Sequence, residues 1–196
     1  MSTGVPTTLT NAERRRLLTL ARSAAQQFLD GHATIDPPPL ETATGRYGGC
    51  FVTLRAGGSL RGCRGMIRAI DDLDAAVSCA AGLAACDPRF AHEPVTAREL
   101  GQIEIEISIL SPPQRAADPL SLVPGVHGVL IRRGSRSGCF LPHVAAESNW
   151  DAAECLAMCC RMKAGLPADA WRDPRTQVLL FTAEAFCDSE PPRNPD

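Results

Sequence analysis

Ile103, Ile105, Ile107 and Ile109 alternate with Glu104, Glu106 and Ser108 along "QIEIEISIL" (102–110). A period of two predicts a half-buried strand, with the isoleucines on one face and the glutamates on the other. "SPP" stops it. Earlier in the chain the period changes. Leu17, Leu20, Ala21, Ala24 and Phe28 recur at helical spacing, after Thr10 and with Glu13 three residues beyond it. That is the spacing of a capping box, and Gly31 supplies the stop. "DPPP" (36–39) predicts a stiff extended connector. "CFVTLR" (50–55) and "LRGCRGMI" (60–67) predict two strands around a glycine turn. The alanine-rich run 71–86 starts with acids and predicts a helix broken before Pro88, followed by a loop at "DPRF" (87–90).

The second half repeats these signals. Residues 127–142 predict a hairpin turning near "GSRSG", and 176–187 a last strand. "WDAAECLAMCCRMKAGL" predicts a helix capped by Asp151 and ended by Gly165. Hairpins interspersed with helices predict an α+β fold with a mixed, largely antiparallel sheet and flanking helices. At 196 residues one domain is the default. It is placed at 10–188, between flexible tails at 1–9 and 189–196.

Composition narrows the class. A net charge of -2 removes a global electrostatic attraction for nucleic acid or acidic membrane, so anion binding has to be local. Aromatic residues at 5% are not interleaved with arginines, which disfavours a stacking platform for single strands. An odd count of nine cysteines excludes a complete disulfide set within the chain. No apolar run approaches a membrane span and no signal peptide opens the chain. A cytoplasmic protein with free thiols is expected. "CLAMCC" (155–160) lacks metal-ligand spacing and reads as helix packing, so no metal or other cofactor is assigned.

The candidate chemistry centres on Cys63, between Gly62 and Arg64 and close to Arg61 and Gly65. The segment 55–68 holds four arginines and no acid. Positive surroundings favour the nucleophilic thiolate, and a guanidinium can hold a phosphate or carboxylate. The alternative is a small buried cysteine flanked by glycines that serve packing, and composition by itself favours that reading. Glu104 and Glu106 share a strand face and are candidates for acid–base work, or are its solvated face. His127 and His143 stand at strand ends, where either could serve as a base. "RRGSR" (132–136) is a second basic cluster, at the expected hairpin tip.

The ordered set "GCFVTLRAGGSLRGCRG", "DPRF", "IEIEISILSPP", "HGVLIRRGSRSGCFLPHVA" and "WDAAECLAMCCRMKAGLPADAW" closely resembles the AMMECR domain, the AMME-syndrome candidate family, over about residues 12–187. The resemblance implies two unequal lobes around one core. It also implies a functional site at Leu60, Arg61, Gly62, Cys63 and Gly65, joined by Asp87, Pro88, Arg89, Phe90, Glu104, Glu106, His127 and Gly128. It brings no settled activity, and it suggests Memo-type and radical-SAM proteins as partners. Arg64 and His143 depart from the family pattern. The resulting expectation is an enzyme or enzyme component acting on a small anionic or nucleotide-like substrate. Cys63, Glu104, Glu106 and His127 are its catalytic candidates, and Arg61, Gly62, Arg64, Gly65, Arg89 and His143 its binding candidates. The alternative is a non-catalytic adaptor for a protein or nucleotide.

Overall fold

The first helix, α1 (Asn11–Leu29), starts where the capping box predicts: Thr10 and Glu13 make both reciprocal hydrogen bonds. The structure, a computed structural model, describes residues 9–32 and 45–189. The connector at 36–39 lies outside the described residues, as do the expected tails apart from Leu9 and Ser189. The chain divides into two compact units, residues 1–110 with 184–196, and residues 111–183.

In the first unit, β1 (Tyr47–Ala56) and β2 (Ser59–Ile70) form an antiparallel hairpin. Gly57 and Gly58 turn it at φ 54° and 82°, values that side chains disfavour. β3 (Glu104–Leu110) pairs antiparallel with β1, and β8 (Ala183–Cys187) adds the outer strand, giving the order β2-β1-β3-β8. α1 and α2 (Leu73–Ala85) pack on one another and on this sheet. The buried cluster joins Cys50, Val52, Leu54, Ile103, Ile105, Ile107 and Ile109 to Leu17, Ala21 and the alanines of α2. One sheet face is thereby covered by helices. Thr53, Arg55, Glu104 and Glu106 alternate onto the other. Ser108 is buried rather than solvated.

The second unit has its own sheet, order β4-β7-β5-β6, built from β4 (Gln114–Arg115), β5 (Gly128–Arg133), β6 (Arg136–Phe140) and β7 (Gln177–Phe181). Short α3 (Pro142–Glu147), which the sequence pattern did not announce, and α4 (Ala152–Met162) accompany it. Asp151 and Glu154 close a second capping box at the start of α4. Its cluster gathers Val129, Ile131, Leu156, Cys159 and Val178. Each unit thus gathers a buried cluster of its own.

The run 176–187 is not one strand. Thr182 interrupts it, and its halves β7 and β8 enter different sheets. The break is fixed where the chain leaves and re-enters the first unit. Ser111 N–H donates to the Thr182 carbonyl and Thr182 N–H to Ser111 Oγ, each at 2.9 Å. None of the nine cysteines, all among the described residues, is in a disulfide. No helix among the described residues is long and apolar enough to cross a membrane.

Candidate functional site

Cys63 lies in β2 directly opposite Thr53 of β1, and Thr53 lies opposite Glu106 of β3. The three side chains therefore form one row on the sheet face turned away from α1 and α2. Cys63 is half-buried, and its Sγ accepts a hydrogen bond from Thr53 Oγ1 at 3.3 Å. Glu106 is half-buried, with no hydrogen bond or ion pair among the described residues. Beside this row lie Gly65, Phe51 and Ser108. A Cβ at Gly65 would stand 2.6 Å from the Phe51 ring, so the glycine makes room for that ring. On the other side lie Leu60, Arg55 and Glu104. Glu104 accepts a hydrogen bond from the Ser189 hydroxyl.

The backbone of Cys63 is held from "DPRF", which forms a short 3-10 turn rather than an irregular loop. Asp87 Oδ2 accepts the Cys63 N–H at 3.1 Å, and Arg89 Nη2 donates to the Cys63 carbonyl at 2.7 Å. Arg89 also pairs with Asp87, whose side chain is fully buried. Burial raises the pKa of Asp87. Hydrogen bonds from the Arg89 side chain and from the Cys63 and Arg89 N–H groups, together with the Arg89 charge, outweigh it and hold the carboxyl below its usual range. Asp87 and Arg89 thus work as a bracket on residue 63.

The arginines of the motif are spent differently from expectation. Arg61 is the extra residue of a bulge between Gly62 and Leu60. Its guanidinium donates to Glu99 Oε1 at 2.8 Å and to the carbonyls of Glu93 and Pro94 at 3.3 and 3.4 Å, with only 10% of the side chain exposed. It fastens the 93–99 loop and does not present itself to a ligand. Arg64 lies opposite Val52, whose side chain enters the core, so Arg64 belongs to the other face of the sheet from Cys63. Gly62 also serves packing: a Cβ there would meet the Ala84 carbonyl of α2 at 2.1 Å. The arginine on the face of Cys63 is Arg55, which neither composition nor motif singled out. Thr53 was missed in the same way. The apolar series Cys50, Val52, Leu54 puts both on the opposite face, but joining them to Cys63 takes the cross-strand register.

His127 and His143 belong to the second unit. Nδ1 of His127 accepts the Val123 N–H at 3.1 Å and closes its own turn, and His143 stands in the first turn of α3. The cluster "RRGSR" makes the tip of the β5–β6 hairpin, beside an open depression also lined by Leu166 and Pro167. There Arg133 pairs with Asp173 at 2.9 Å and Arg136 donates to the Gly165 carbonyl at 2.6 Å. Cys159 and Cys160 are buried among apolar residues, and burial pushes both thiols up. No group of three or more metal-binding side chains occurs among the described residues.

Similar proteins match the chain over nearly their whole length. A protein of Methanothermobacter thermautotrophicus is 41% identical, over 91% of this chain and 95% of its own. One of Methanopyrus kandleri is 38% identical, over 93% and 92%. The crystal structure of an uncharacterised protein from Pyrococcus horikoshii, 38% identical, superposes with a TM-score of 0.76 over 92% of this chain and 93% of that one. The profile of the AMMECR1 family matches residues 18–186, from within α1 to within β8, and the chain belongs to that family.

Proposed function

We propose that the face of the first sheet turned away from α1 and α2 is the working site of an enzyme or enzyme component, with Cys63 as its nucleophile. One observation carries this reading: a partly exposed thiol and a carboxylate without a partner among the described residues share one cross-strand row, with the Thr53 hydroxyl between them. Two strand spacings place the Cα atoms of Cys63 and Glu106 roughly 9.5 Å apart. A small substrate lying across Thr53 meets the sulfur at one end and the carboxylate at the other. Glu106 then gives or takes a proton at the atom remote from the sulfur. The bracket of Asp87 and Arg89 fixes the backbone of Cys63, so the sulfur is held without adjustment at the moment of reaction. Arg61 and Arg89 position this site. Leu60 and the Phe51 ring supply its apolar walls.

Peptide-resolved alkylation of the native protein tests the reading. Iodoacetamide labels Cys63 at least about tenfold faster than Cys86, an exposed thiol outside the site. The variant Glu106→Gln changes the pH profile of Cys63 labelling and leaves that of Cys86 alone. A Cys63 slower than Cys86 sinks the nucleophile role.

The internal pairing of Arg61 and Arg89 favours a second reading, an adaptor in which the motif is purely architectural and a partner, such as a Memo-type or radical-SAM protein, docks on the surface it shapes. Under that reading Cys63→Ser keeps partner binding, and substitutions that loosen the 93–99 loop lose it.

A further inference from the structure

We infer that Arg55 is the anion-binding residue of the Cys63 face, and that the site takes a compact carboxylate or phosphate. The inference rests on the thiol-centred reading above and names the ligand class for it.

The expectation from sequence was an anion held by Arg61, Arg64 or Arg89. Each is accounted for otherwise. Arg61 is consumed by Glu99, Glu93 and Pro94, Arg89 by Asp87 and the Cys63 carbonyl, and Arg64 faces away. Arg55 is different. It sits two residues from Thr53 on the same face, flanked across the strands by Leu60 and Glu104. Glu104 is its direct cross-strand neighbour, where an ion pair would form at little cost. None forms: Arg55 makes no hydrogen bond or ion pair with any described residue, and Glu104 accepts from Ser189 instead. The residue is also half-buried. A half-buried arginine whose five donors meet no described residue is a strong receptor for a planar carboxylate or a phosphate, which it can grip with two hydrogen bonds.

Geometry limits the ligand further. Arg55 and Cys63 are diagonal neighbours on one face, so their Cα atoms are about 7–8 Å apart. An anion on Arg55 leaves room for only a short link before the sulfur. Leu60, 36% exposed, stands directly beside Arg55 and offers apolar contact to that link. Glu104, across from Arg55, and Glu106, in the next row, both repel a second negative charge there. The ligand therefore carries its anionic group at one end and its reactive carbon within two or three bonds of it.

Two alkylating reagents of nearly equal size separate the anion from the thiol. Iodoacetate carries a carboxylate and iodoacetamide does not; from either, the Cys63 thiolate displaces iodide and forms a thioether. The ratio of the iodoacetate to the iodoacetamide rate at Cys63 falls about tenfold in Arg55→Ala and partly recovers in Arg55→Lys. It is unchanged in Arg64→Ala, and the ratio at Cys86 is unchanged in all three. An unaltered ratio at Cys63 in Arg55→Ala overturns the inference while leaving the thiol reading standing. A Cys63 inert to both reagents removes the thiol reading, and a titration of inorganic phosphate into ¹⁵N-labelled protein then decides the anion site. Shifts of the Thr53, Arg55 and Cys63 amides that vanish in Arg55→Ala support it. No shifts, or equal shifts in the variant, overturn it.

Discussion

Asp87 shows how much one side chain contributes to the site. Its buried carboxylate accepts the N–H groups of Cys63 and Arg89 and pairs with the Arg89 guanidinium. Removing it leaves two N–H groups and part of a guanidinium without this partner. Asp87→Ala is expected to cost about 2–4 kcal/mol, measured by urea unfolding at neutral pH. The same residue shapes the response to acid. Its folded-state pKa is depressed, so its contribution is complete above the unfolded value and is lost as pH falls through the folded one. Wild-type stability therefore declines below about pH 5 more steeply than that of Asp87→Ala, which has lost this carboxyl. Parallel acid limbs for the two proteins would count against the bracket. Asp87 was legible as part of "DPRF", but its role was not, because the N–H it accepts lies 24 positions away.

At the scale of elements, the contact between α2 and β2 depends on small residues on both sides. The alanine-rich helix brings its backbone onto the strand, and Gly62 lies against the carbonyl of Ala84. Gly62→Ala pushes a methyl into helix backbone that cannot step aside, and is expected to destabilise by about 1–3 kcal/mol in thermal or urea unfolding. A value near zero would show that α2 shifts freely on the sheet. Cys63 labelling slows in the same variant, because residue 63 follows directly. The elements themselves were largely readable. Capping boxes at Thr10 and Asp151 and the alternation of the isoleucines act over a few residues, and local rules suffice for them. The bulge at Arg61 was not readable, because an extra residue in one strand exists only relative to its partner.

At the scale of the molecule, residues 111–183 form an insertion between two strands of one sheet. β3 leads into it and β8 leads out, and these strands are neighbours. The entry and exit are tied by the two hydrogen bonds between Ser111 and Thr182. Each unit has its own sheet and its own buried cluster. A chain in which a short glycine–serine turn replaces 112–181 is expected to fold, to keep the helical signal of α1 and α2, and to retain Cys63 labelling. Loss of cooperative unfolding in that chain would refute the independence of the first unit. The adaptor and enzyme readings also separate here, since a thiol site confined to the first unit survives the replacement.

The sequence by itself determined the α+β class, most element boundaries, the family and the candidate segment. Each of these is written in near-neighbour patterns: the period of apolar residues, caps, glycine turns and the order of motifs. Tertiary structure alone decided which side chains meet. The apolar run 176–187 looked like one strand, and only pairing showed that it serves two sheets. Arg55, Arg61 and Arg64 looked equivalent in charge. The register of β1 against β2 and β3, shifted by a bulge, turned one away, buried another in a loop clamp and left Arg55 beside the thiol. A side chain's face depends on its own strand, but its neighbours depend on strands distant in sequence, and that is where the candidate site is assembled.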